Sequence, residues 1–211
     1  TVSSAASDVY KRQLQYLLLG TGDAAFPPTS AGAFFKSSPD KDIPDTQIHY
    51  ASFHSSDLHG RDGIDKNHGF SGVICILRPQ SRGHLELKSS NPNDAPLMFP
   101  NYLSEEQDLI DTRNATRETI RVFMQSAFDE YRGDRSKPGL EINVDNDDEL
   151  DNWIRDTGET LYHPVGTCKM GADDLAVVDD NLKVRGIDNL RVVDASICLL
   201  YTSPSPRDSL E

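Results

Sequence analysis

Only three cysteines occur in this 211-residue chain, Cys75, Cys168 and Cys198, and no two form a C-x-x-C pair. That excludes a disulfide framework and the common structural zinc spacings. H-E-x-x-H is also missing, so no metal site is expected. Apolar runs such as 16–19 and 73–77 fall far short of the roughly 20 residues that a membrane-crossing helix needs. The opening residues show no secretory signal pattern. Basic residues are in deficit, 21 Lys and Arg against 34 Asp and Glu, for a formal charge of −13. Such a chain lacks the basic footprint of non-specific nucleic-acid binding, so no nucleic-acid partner is expected. There is no G-x-G-x-x-G and no internal repeat.

What is present reads as globular. Hydrophobic residues make up 36% and charged residues 26%, a composition able to bury a core. The acids are dispersed except for Asp145, Asp147, Asp148, Glu149 and Asp151, which read as a well-solvated surface. Sparse, unpatterned cysteine fits a reducing compartment, and a cytoplasmic location is the expectation. The two ends lack the periodic pattern of the interior. Residues 200–209 resemble a translated sequencing-adapter remnant, and the head around 8–13 resembles the same kind of scar. We therefore read 1–13 as a non-native leader and 198–211 as a non-native tail, and leave both out of the fold reasoning.

Between them, residues 13–20 read as a helix stopped by a glycine. Segments 32–36, 45–53, 70–77, 84–88 and 190–194 read as strands, from β-branched content, alternation and flanking turn residues. Ser104-Glu-Glu-Gln107 has the form of a capping box. It opens a helix whose apolar stripe is Leu109, Ile110, Ile120, Phe123 and Met124. A shorter helix covers 148–157, with Leu150, Trp153 and Ile154 inward. The sum is an α+β fold, an antiparallel sheet with flanking helices.

One segment stands out chemically, Tyr162-His163-Pro-Val-Gly-Thr-Cys-Lys-Met-Gly171. Proline fixes the backbone there and glycine permits close approach of a ligand. An imidazole with an ordinary pKa of about 6.5 suits proton transfer near neutrality. On these residues alone, a structural hydrogen-bonding role for His163 stands beside a catalytic one.

The same segment resembles the C-terminal signature of glucose–methanol–choline (GMC) oxidoreductases. Four further segments are similar to that family in the same order: Arg78-Pro-x-Ser-Arg-Gly83, Tyr102-Leu-Ser-x-Glu-x-Asp108, Val177-Val-Asp-x-x-Leu-x-Val-x-Gly186 and Leu190-Arg-Val-Val-Asp-Ala-Ser196. The nearest flavour is the choline-dehydrogenase-like branch. The resemblance implies a substrate-binding (cap) domain over 14–161. It also implies a segment over 162–197 that is a remnant of the FAD-binding domain and contributes the active-site loop and FAD contacts.

It further implies FAD as cofactor, a small-molecule primary alcohol as substrate, and hydride transfer from its CH–OH carbon to flavin with His163 as base. Val165 and Gly166 would lie near the flavin ring, and Asp194 and Ala195 near its ribityl and phosphate region. A helix N-cap is the alternative role for Asp194. His49 and Leu161 would line the substrate pocket, although a strand histidine with a satisfied hydrogen bond is an equal reading of His49. Phe70 reads as core rather than pocket. His54, His59, His68 and His84 read as surface or loop residues, and Arg78 and Arg82 as ion-paired.

Two family parts have no counterpart in this sequence: the dinucleotide-binding fingerprint, and the histidine or asparagine after Asp-Ala-Ser that completes the catalytic pair. The expectation is a fragment of a FAD-dependent alcohol oxidoreductase, inactive alone. The electron acceptor is left open, and peripheral membrane association is a secondary expectation. The alternatives are a stand-alone or degenerate binding module without catalysis, and a metal-dependent hydrolase using His163, Cys168 and His84.

Overall fold

The computed structural model describes residues 2–22, 25, 29–53 and 69–198. Helix α1 (Val2–Leu19) begins earlier than the expected helix and ends where the glycine predicts. Gly20 adopts φ +65° and returns its N–H to Tyr16 O at 2.8 Å. This left-handed stop suits a residue without Cβ.

Three strands follow, β1 (Thr29–Phe35), β2 (Thr46–Ala51) and β3 (Ser71–Ile76). They pair antiparallel in the order β1-β2-β3. Ile48 lies between Ala33 and Ile74, and His49 between Gly32 and Val73. Side chains alternate between faces, so Thr46, Ile48 and Tyr50 share one side. Thr46 and Ile48 are buried. A second ribbon pairs β4 (His84–Glu86) with β5 (Leu97–Phe99). The short β5 follows the proline-bounded loop and carries no alternation long enough to announce it.

Helix α2 (Glu106–Phe123) packs on β3. A Cβ on Gly72 would meet the Phe123 ring at 2.8 Å, so helix and strand touch there. Tyr50, Phe70, Phe123 and Phe128 join into one aromatic cluster, with ring centroids 5.1 to 5.8 Å apart for the pairs through Phe70. Phe70 is thus a core residue. The buried stripe of α2 differs from the apolar one read from its sequence. It consists of Asp108, Leu109, Asp111, Ala115, Thr116 and Thr119, while Met124 is exposed. The threonines can be buried because their hydroxyls donate to the carbonyl one turn back, Thr116 to Thr112 O and Thr119 to Ala115 O, both at 2.8 Å. Asp108 accepts the N–H groups of Gln80 and Ser81 at 2.7 and 2.8 Å.

The expected capping box does not form. The N-cap is Glu105, without a side-chain cap. Gln107 Nε2 instead donates to Asp111 Oδ1 at 2.8 Å, because a buried carboxylate needs donors more than a helix end in water does.

Helix α3 (Asp147–Thr157) starts one residue before the expected 148 and is capped by Asn146, whose side chain accepts from Glu149 N. Leu109, Leu150 and Ile154 form its core contact with α2, flanked by Leu103, Val144 and Trp153. The acidic cluster is only partly a solvated surface. Asp151 and Asp147 pair with Arg113 at 2.7 and 3.3 Å, and Asp147 also pairs with Arg117 at 2.7 Å. These pairs tie α3 to α2.

From 170 onward the chain is irregular. Isolated bridges join Met170 to Val178, Val178 to Val184 and Lys183 to Arg191, around a fully buried Val178. The strand expected over 190–194 is therefore absent: Arg191 makes a single bridge and no ladder builds. Among the described residues, no helix is long and apolar enough to cross a membrane.

Candidate active site

His49 lies on the face of β2 that turns away from α2, because its cross-strand partner Val73 points opposite to Gly72. Phe34, Gln47 and Cys75 share that face by register. Burial pushes the Cys75 thiol up, which keeps it protonated and unsuited to nucleophilic attack. His49 is half-buried, and its Nε2 is enclosed with no hydrogen-bond partner among the described residues. Its pKa lies below the usual 6.5, first because burial disfavours the charged ring and second because His163 stands near enough to repel it. His49 is neutral at pH 7. His163, on a distant loop, is thus within electrostatic range of His49.

The start of β2 is anchored by polar contacts. Ser37 Oγ lies 2.6 Å from Asp45 Oδ2 and 3.0 Å from Asp111 Oδ1, and Ser37 N donates to Asp45 Oδ1 at 2.7 Å. Lys41 Nζ reaches Asp111 at 2.7 Å and Asp45 at 3.5 Å. The Asp111 contact comes first in raising the Lys41 pKa. Burial pushes the Asp45 carboxyl up, but the Ser37 and Lys41 contacts outweigh it and hold the group low. Asp45 O accepts Leu77 N at 2.8 Å, which joins this anchor to the end of β3. Lys41→Met should cost about 1–3 kcal/mol, discounted because the Lys41 side chain is 24% exposed. The sign follows from linkage. Asp45, with its lowered pKa, stabilises the fold above the ordinary carboxylate pKa and loses that contribution as pH falls through its folded value. Without Lys41 the Asp45 carboxyl rises, so the stability gap between variant and wild type narrows as pH falls from 5 to 3. Melting temperatures across that range check it.

His163 is exposed on the loop after α3. Tyr162 before it sits at φ +59°, and Gly166 after it at φ +88°. A Cβ on Gly166 would come to 3.3 Å from Cys198 O, so this turn belongs to glycine on two counts. Leu161, Val165 and Gly166 are half-buried. Cys168 N donates to Ser196 O at 2.9 Å and Met170 N to Ile197 O at 3.0 Å. The loop is thereby stitched to the chain just after Asp194 and Ala195, both exposed. Asp194 caps a single 3-10 turn, Ala195–Ile197, and accepts Ser196 N at 2.8 Å. The cap reading of Asp194 holds, and hydrogen bonds from Ser196 lower its carboxyl pKa. Neither the strand nor the longer helix expected around it is there.

Other candidates fall elsewhere. His84 lies on β4, 3.3 Å from Glu86 and stacked on Phe99. Arg82 Nη1 donates to the carbonyls of Pro79 and Ser81 at 2.7 and 2.9 Å, in place of the expected ion pair. His54, His59 and His68 lie outside the described residues. No three His, Cys, Asp or Glu converge on a metal position among the described residues. Open clefts of about 600 and 560 Å³ are lined by other residues, including Arg185 and Arg121. The site is therefore defined by the histidine pair and not by concavity. Sequence reasoning passed over Thr160, whose Oγ1 accepts Tyr162 N at 3.1 Å. A threonine two residues before the aromatic was the available signal.

Solved oxidoreductases share this fold. Pyridoxine 4-oxidase from Mesorbium loti superposes with a TM-score of 0.67 at 26% identity, over 81% of this chain and 33% of the other. Formate oxidase from Aspergillus oryzae RIB40, whose FAD modification has been probed by mutation, gives 0.64 at 27%, over 75% and 28%. Both neighbours are oxidases by name, and each shares the fold of this chain over about a third of its own length. The family model described as GMC oxidoreductase matches residues 79–207, and the chain belongs to that family. Oxygen-dependent choline dehydrogenase of Pseudomonas fluorescens (strain SBW25) is 41% identical over 189 residues, 90% of this chain and 33% of the relative. The enzyme of the same description from Escherichia coli O127:H6 is 40% identical over 183 residues, 87% and 32%. The chain spans about a third of the length of these curated relatives.

Proposed function

We propose that this chain supplies the substrate side of a FAD-dependent oxidoreductase acting on the CH–OH group of a small primary alcohol, with His163 as base. The observation that carries this reading is a half-buried His49 whose enclosed Nε2 has no hydrogen-bond partner among the described residues, with the His163 loop close enough to influence its charge. The residues suit a flat cofactor. Gly166 lets the loop pass close against Cys198 O, Val165 offers an apolar contact beside it, and the loop runs against the chain following Asp194 and Ala195. FAD, when bound, supplies the hydride acceptor.

An imidazole nitrogen of His163 takes the hydroxyl proton, which makes the carbinol carbon a better hydride donor. A positioned base of this kind contributes about 10²–10⁴-fold. His49 Nε2, enclosed and without a partner among the described residues, bonds the alcohol oxygen and orients it. Half-buried Leu161 packs against the substrate's carbon side. Both histidines must be neutral for these roles, so activity falls toward acid pH.

The name of the relatives makes choline and similar alcohols the first substrates to try. Binding of FAD and turnover draw on the two thirds of the relatives' length that this chain does not span. By this reading the chain is a fragment, without activity alone, and 162–197 is the part that meets the FAD-binding domain. A cytoplasmic location with peripheral membrane association belongs to the same proposal. The test is anaerobic mixing of the flavin-loaded longer protein with choline and with uncharged primary alcohols. Loss of oxidised-flavin absorbance with an alcohol supports the reading, and an unchanged spectrum with every alcohol overturns it.

A further inference from the structure

Tyr162 holds a left-handed backbone, φ +59°, which a bulky residue rarely adopts. Its N–H donates to Thr160 Oγ1 at 3.1 Å. The same oxygen accepts the Tyr102 hydroxyl at 2.9 Å, from a segment 58 residues away. Tyr102 is presented by a rigid turn. Its neighbours Asn101 and Leu103 are also left-handed, at φ 51° and 56°. Asn101 Nδ2 donates to Arg82 O at 3.1 Å, and Leu103 O accepts from Arg155 Nη1 at 3.3 Å. A continuous line therefore runs from the chain ahead of α2, through a phenol and a hydroxyl, to the amide just before His163.

We propose that Thr160 and Tyr102 are positioning residues: Tyr102 orients the Thr160 hydroxyl, which holds Tyr162 left-handed and so sets the direction in which the loop presents the His163 imidazole. Two observations require an explanation of this kind. An unfavourable backbone persists only where its surroundings over-determine it, and the hydroxyl is the group that does so here. A change of Tyr162 to an extended backbone would redirect the residue that follows it. The consequence for turnover rests on His163 being the base, whereas the geometry stands without it.

Thr160→Val keeps the shape and removes the acceptor, Thr160→Ser keeps the acceptor, and Tyr102→Phe removes only the phenol oxygen. In this chain, labelled at histidine Cε1, NMR follows the His49 and His163 titrations from pH 5 to 8.5, and hydrogen exchange follows the Tyr162 amide. Thr160→Val should speed that exchange about tenfold and move the His49 midpoint upward, because the repelling neighbour has left. Tyr102→Phe should do the same to a smaller extent, and Thr160→Ser should restore both. Unchanged titration and exchange in Thr160→Val overturn the proposal. So does a lowered melting temperature with the titrations intact, which marks a merely structural hydroxyl. If Thr160→Val does not fold, the Tyr102→Phe and Thr160→Ser pair decides in the same way. In the flavin-loaded longer protein, Thr160→Val should lower kcat about tenfold with little change in KM. If the NMR changes occur while His163→Asn retains full turnover, positioning stands and the base reading fails.

Discussion

Replacing His163 with asparagine lowers kcat of the flavin-loaded longer protein by about 10²–10⁴-fold. Asparagine keeps a hydrogen-bonding group near the ring position but cannot take a proton near neutrality. The loss should therefore appear in kcat and in the pH profile, with the acid limb flattened. Stability should scarcely move, because His163 is exposed and substitutions at exposed positions cost about 0.5 kcal/mol or less. A second readout is independent of catalysis. His163 contributes to the low pKa of His49, so its removal lets the His49 midpoint rise, though burial still holds it below an ordinary histidine. A variant with wild-type kcat removes His163 from the chemistry. A variant with an unmoved His49 midpoint separates the two rings in solution.

Leu150→Ala destabilises the chain by about 2–5 kcal/mol. Leu150 is completely buried and sits between Leu109 and Ile154, with Leu103, Val144 and Trp153 around them. The neighbourhood cannot easily collapse into the space left behind. Arg113 and Arg117 hold Asp147 and Asp151 on the same helix, so α3 stays at its distance from α2 and the cavity remains. For a chain of this size the loss corresponds to a fall in melting temperature on the order of ten degrees. Loss of under 1 kcal/mol would mean that α3 repacks, and that the ion pairs do not set the spacing. The effect reaches the site through stability alone, so in the folded fraction the His49 titration should match wild type.

Much of the scaffold was legible because it depends on neighbours in sequence. Gly20 ends α1, Asn146 starts α3, and alternation together with turn residues marks β2, β3 and β4. The His163 loop was legible for a related reason, since proline and glycine shape a backbone wherever they stand. The capping box was misread because Gln107 had a better partner, a buried Asp111 that the local pattern does not reveal. Residues 190–194 have strand composition, yet a strand needs a neighbour along its length, and here only Arg191 finds one.

Residue type and short-range spacing settle the family signature, the α+β class, the glycine stop of α1 and the candidate histidines. Only the tertiary structure decided which polar groups of α2 are buried, because their partners Ser37, Lys41, Gln80 and Ser81 come from distant loops. It alone decided that His163 lies within electrostatic range of His49, and that Tyr102 reaches Thr160. Each of these depends on the path of the chain between two remote segments, and no pattern within either segment encodes that path.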